Sequence, residues 1–97
     1  MLSEDVQISY RGFEPTQDVR TSLYYILNRL HLKSPSQSFL TATFTRAGEV
    51  FEGVIQVTSN VENFAVKASD VHLTKLTETL FSKLGQKLES WKALRFK

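Results

Sequence analysis

Lys83 and Lys87 stand four residues apart in a leucine-rich stretch, with Lys75 eight residues before the pair and Trp91 four after it. On a helix, like charges at i and i+4 repel slightly unless an anion neutralises them. A phosphate backbone is such an anion, and lysine contacts to it hold a protein in place without reading base sequence. A solvated helix edge with no partner accounts for the same pattern. Enzyme chemistry finds much less support. His31 and His72 are the only histidines. His31 falls at the end of a helical segment, where an imidazole beside the last carbonyls needs no further role. Asp70 and His72 are two apart, a spacing that points them to different sides of a helix. Neither histidine has a nucleophile or metal-ligating partner at a useful spacing. Glu49 and Glu52 flank a turn and are expected to be exposed. Gly12, Gly48, Gly53 and Gly85 are too scattered to form a phosphate loop. The absence of cysteine excludes thiol catalysis, disulfides and cysteine-ligated zinc. No catalytic residue, metal site or cofactor is expected.

These residues must be positioned by the elements around them. Residues 6–11 alternate, with Val6, Ile8 and Tyr10 on one side and Gln7, Ser9 and Arg11 on the other, as a half-buried strand does. Gly12 and Pro15 interrupt it, and Thr16 is a fitting N-cap with Asp18 in the first turn. Val19, Leu23, Ile26 and Leu30 follow at helical spacing, widened by Leu27. Ser34-Pro35 should stop this helix near Lys33. Residues 38–46 alternate again, Ala47-Gly48-Glu49 makes a hairpin turn, and Phe51, Ile55 and Val57 line the inner face of the next strand. After Ser59-Asn60, Phe64–Ala68 reads as a short fourth strand. Ser69 or Asp70 should cap a long last helix. There Leu73, Leu76, Leu80, Leu84, Leu88 and Trp91 form a core stripe, with Lys75, Lys83 and Lys87 on one flank and Glu78, Glu89 and Lys92 on the other. Gly85 inside that helix costs about 1 kcal/mol against alanine. It either admits a close neighbour, such as the first helix or an RNA, or is simply tolerated.

The order β-α-β-β-β-α defines an α+β fold, a four-stranded sheet with both helices on one face and a wet Thr/Gln/Ser face opposite. Phe39, Val50 and Val54 fall on the wet face, as ordinary exposed residues or as a small self-association patch. A chain of 97 residues fits one domain spanning 1–97. With 41% hydrophobic and 23% charged residues, the composition is globular. No apolar run approaches the roughly 18 residues of a membrane span. The opening MLSEDVQISY has neither the basic start nor the apolar run of a signal peptide. A cytoplasmic protein with no membrane partner is the expectation. The net charge of +2 is unevenly spread. Residues 1–68 hold six Lys and Arg against seven Asp and Glu, and residues 69–97 hold six against three. Such asymmetry points weakly to an anionic partner.

Two segments resemble the short ribosome hibernation-promoting factors, also called ribosome-associated inhibitor A, protein Y or sigma-54 modulation proteins. ISYRGFEPTQDVRTSLYYILNRL, residues 8–30, is similar to the family's opening strand, its V-E-x-T turn and its first helix. Phe13-Glu14-Pro15-Thr16 matches the turn and Val19-Arg20 the helix start. KLGQKLESWKALR, residues 83–95, resembles the family's K-L-x-x-Q-L-x-K-H-K-x-x-L ending. The order and lengths of the strands between them also agree.

The resemblance implies a double-stranded-RNA-binding-domain-like fold with two roughly parallel helices on one side of the sheet. It implies binding to 16S rRNA of the small ribosomal subunit, between head and body. Occlusion of the messenger and tRNA sites there inhibits translation under stress or in stationary phase. Lys83 and Lys92 match basic family positions, and Lys87 is basic where the family commonly has Gln. Arg20 matches the arginine of the first helix, and Arg29 falls where Lys is frequent. Together with Lys75 and Arg95, these are the expected RNA contacts: Arg20, Arg29, Lys75, Lys83, Lys87, Lys92 and Arg95. Arg11 and Lys67, near strand ends, are weaker candidates. Gln86 and Ser90 replace basic family residues, and Trp91 stands where His is usual, which lowers the expected salt-dependent affinity. Trp91, in mid-stripe, is expected in the core rather than stacked on a base. The dimerisation domain of the long family forms has no counterpart here, so a monomer is expected. The alternative is a diverged interaction module that keeps the fold, binds rRNA weakly or not at all, and self-associates through the sheet face.

Overall fold

The computed structural model describes residues 5–95 of the chain. Its elements are β1 (Val6–Arg11), α1 (Gln17–Leu32), β2 (Phe39–Ala47), β3 (Val50–Thr58), β4 (Phe64–Asp70) and α2 (Leu73–Arg95). The four strands form one mixed sheet in the order β1-β2-β3-β4. β1 pairs parallel to β2, and the other two pairings are antiparallel. β1 and β4 therefore run in the same sense, and the helices that follow them return roughly parallel to each other across the same face. This is the α+β arrangement that the alternation and helical spacing imply.

Local chemistry sets most boundaries where the sequence puts them. The Val19 N–H donates to the Thr16 hydroxyl at 3.3 Å, closing the first turn of α1. α1 stops at Leu32, with Lys33 as its C-cap ahead of Ser34-Pro35. Ala47 pairs directly with Val50, so the hairpin turns on Gly48-Glu49 alone, with Gly48 at a φ of +65°. Two-residue hairpin turns need positive φ at this position, which glycine supplies without steric cost.

The fourth strand is longer than its alternation suggests, and the last helix starts later. β4 continues through Ser69 and Asp70 because both find partners on β3, Glu52 and Phe51. Neither residue is the helix cap. The Asp70 carboxylate accepts the His72 N–H at 2.9 Å, and the His72 carbonyl takes the first helical bond, from the Leu76 N–H. Ladder pairing thus outweighs the capping preference of a Ser-Asp pair.

The core lies between sheet and helices. α1 contributes Leu23, Leu27 and Leu30, and α2 contributes Leu76, Leu80, Leu84 and Leu88. They pack on Val6, Leu40, Ala42, Phe44, Ile55, Val57 and Val66. Gly53 makes the approach of α2 possible: a Cβ there would stand 2.5 Å from Leu80 Cδ1. Leu73 and Trp91, at the two ends of the expected stripe, are only half-buried, as are Val19 and Ile26 on α1.

Candidate nucleic-acid interface

β4 is an edge strand, and α2 crosses the sheet face beside it. Between them runs a groove of about 650 Å³. Its floor is Phe64, Ala65, Val66 and Lys67, and its wall is Lys83, Gln86, Lys87, Ser90, Trp91 and Leu94 from α2. Among the described residues, no acidic side chain lines it. The wall follows from helical geometry, since positions 83, 87 and 91 succeed one another every four residues along one side of α2. Lys83 is anchored: its Nζ donates to the Lys67 carbonyl at 3.0 Å. Trp91 stands edge-on to Phe64, with ring centroids 6.1 Å apart. Trp91 is thus a half-buried wall of the groove and not the core residue its place in the leucine stripe predicts.

The other candidate cations lie elsewhere. Arg20 lies on the β1 side of the molecule, with its guanidinium 5.3 Å from the Tyr10 ring centroid and its Nε donating to the Pro15 carbonyl at 3.3 Å. Burial raises the pKa of the Tyr10 hydroxyl, and the nearby Arg20 charge partly opposes that rise. Arg29 lines a second groove, the valley between the helices, whose walls are mostly apolar (Val19, Ile26, Leu73, Phe81) and which also carries Asp18 and Glu78. Lys75 and Lys92 are exposed. Lys92 is nine residues beyond Lys83, which at about 100° per residue puts it half a turn round the helix. Arg95 ends α2, and its side chain lies outside the described residues. Arg11 is exposed at the end of β1, and Lys67 lies in mid-strand because β4 extends to Asp70. The structure therefore gathers Lys83 and Lys87 in one groove with Lys67 on its floor. It leaves Arg20, Arg29 and Lys92 on other surfaces.

Three features of the interface escape a reading of the sequence. Phe64 and Leu94 line the groove, which requires knowing that β4 is the edge under α2. Lys33 reaches over the Phe81 ring, its Nζ 6.0 Å from the centroid, adding a cation near the Arg29 end of the valley. The row Lys83-Lys87-Trp91 was visible as spacing, but its opposite wall was not. On the open sheet face, Phe39 and Val50 are 58% and 38% exposed. Phe39 pairs with Thr58 and Val54 with Thr43, and Glu52 separates Val54 from Val50. The three are spread over the face rather than joined in one patch. Among the described residues, no group of three His, Cys, Asp or Glu side chains could hold a metal ion, and no helix is long and apolar enough to cross a membrane.

The sequence matches no protein-family model and no curated protein. Comparison with solved structures does find relatives of this fold. The Thermus thermophilus protein Y N-terminal domain superposes with a TM-score of 0.75 at 19% identity, covering 88% of this chain and 94% of that one. A ribosomal subunit interface protein from Coxiella burnetii superposes with a TM-score of 0.72 at 20% identity, covering 91% of this chain and 97% of that one. The chain has the protein Y fold.

Proposed function

We propose that the protein binds the small ribosomal subunit through 16S rRNA and inhibits translation by occupancy, filling the channel that messenger and tRNA would use, under stress or in stationary phase. The observation that carries this reading is the Lys83/Lys87 groove, without an acidic side chain among the described residues that line it and built on a fold shared with a ribosomal subunit interface protein. Lys83 and Lys87 are the central phosphate contacts. Arg20, Arg29, Lys75, Lys92 and Arg95 supply further contacts from the flanks, which a cleft can reach and a flat partner cannot. Binding needs no chemistry beyond charge and shape, and the chain acts as a cytoplasmic monomer without a cofactor. The mechanism requires a rigid body, which α2 provides with four leucines buried to 1% exposure or less.

Co-sedimentation with purified small subunits across a salt series tests the reading. Binding should weaken steeply with salt, because each neutralised phosphate releases counterions. A Lys83→Glu/Lys87→Glu variant should lose at least tenfold in affinity at low salt and fail to inhibit translation in a cell-free system. Salt-insensitive binding, or an undiminished double variant, contradicts the proposal.

A further inference from the structure

We infer that the groove beside β4 takes an unpaired RNA strand, with phosphates on Lys83 and Lys87 and a base stacked against Trp91. The inference rests on the nucleic-acid reading above, but not on the ribosome as the source of the RNA. Three observations converge. The two lysines line the same wall as the indole, one helical turn apart, so an anion held by Lys87 brings its neighbouring group to Trp91. The aromatic pair Trp91 and Phe64, with Leu94, makes the far end of the groove apolar, as a base face requires. Among the described residues, no carboxylate lines the groove to repel a phosphate.

An unpaired strand fits better than a duplex. In a duplex the base faces are stacked inward and offer nothing to an indole. Sites for single strands combine cations that track the backbone with aromatic side chains that accept any base. An extended acidic peptide is the competing occupant, because β4 is a free edge to which a strand could add. The Lys67 carbonyl is a poor start for such pairing. It already accepts from Lys83, and a lysine held over an edge is a known way of blocking an added strand.

Trp91 is the only tryptophan in the chain, so its fluorescence reports on this groove alone. The full chain should be titrated with single-stranded oligouridine of about ten nucleotides, a length within the range of single-strand sites. Saturable quenching of Trp91 is expected, with little or none from duplex RNA of equal length. In a Lys83→Gln/Lys87→Gln variant, the dependence of log affinity on log salt should flatten by about 1.4, roughly 0.7 for each lost single-strand contact. By anisotropy of labelled RNA, Trp91→Leu should weaken binding roughly tenfold while Trp91→Phe keeps most of it, since stacking needs an aromatic face and not an apolar one. Circular-dichroism melting confirms that each variant is folded. Equal quenching by duplex, unchanged affinity in Trp91→Leu, or quenching by a polyglutamate peptide but not by RNA overturns the inference. Protein that sediments with small subunits yet ignores the oligonucleotide also overturns it, and leaves the ribosome reading standing. Quenching by oligonucleotide without co-sedimentation does the reverse.

Discussion

Ser38 shows how a single residue can sit against the grain of its surroundings. It is 2% exposed, and its hydroxyl has no hydrogen-bond partner. Its carbonyl, by contrast, accepts from the His31 Nε2–H at 2.8 Å, so the imidazole ties the end of α1 to the start of β2. Between them Gln37 adopts a φ of +58°, the left-handed conformation that turns the chain into the sheet. A buried hydroxyl without a partner is destabilising, and removing it relieves that cost. Ser38→Ala should therefore stabilise the protein by about 1 kcal/mol, read as a higher midpoint in thermal or urea unfolding. An unchanged or lowered midpoint shows that the hydroxyl is satisfied in solution. None of this was legible in the sequence. His31 looked like an ordinary helix-terminal imidazole because its partner lies seven residues on, across a loop whose path depends on one residue at positive φ.

Two glycines divide the element scale. Gly53 lies inside β3 and Gly85 inside α2, and they meet opposite surroundings. Gly53 faces α2, and an added methyl would collide with Leu80 Cδ1 at 2.5 Å and press on Phe44 Cε1 at 3.3 Å. Leu80 is fully buried and cannot swing away. Gly85, inside α2, has nothing within 4 Å of where a Cβ would stand, so neither α1 nor a strand uses the space. Gly53→Ala should destabilise by about 1–3 kcal/mol through overpacking. Gly85→Ala should stabilise by about 0.5–1 kcal/mol through helix propensity. Urea unfolding of the two variants checks both signs, and equal effects would contradict the packing described. The strands and helices themselves were legible because periodicity reports which side chains are buried, and it reports this faithfully for Leu40-Ala42-Phe44 and for Leu76 to Leu88. The junction of β4 and α2 was not. Ser69 and Asp70 are good cap residues locally, and only their partners on β3, distant in sequence, keep them in the sheet.

At the scale of the whole molecule, charge decides what a partner can reach. Arg20 lies by β1 and the Lys83/Lys87 groove by β4, at opposite edges of a four-stranded sheet whose strands are about 4.8 Å apart. The valley between the helices separates them, and it carries Asp18 and Glu78 beside Arg29. The excess of positive charge in the last 29 residues was plain in the sequence, and so was its location on α2. Its division among surfaces was not, since a helical wheel gives the angle of each lysine but not which angle faces β4 and which faces α1. The division has a measurable consequence. A single strand in the groove meets Lys83 and Lys87 and never Lys92, which points half a turn away. A ribosomal cleft closing round α2 meets all three. Lys92→Glu should leave oligonucleotide affinity and its salt dependence unchanged. The same substitution should reduce co-sedimentation with small subunits and flatten its salt dependence by roughly 0.7–0.9, the share of one phosphate contact. Loss of both kinds of binding would mean that Lys92 acts through the whole field of the protein rather than by contact. Loss of neither would remove the far flank of α2 from the ribosomal interface and confine it to the β4 side.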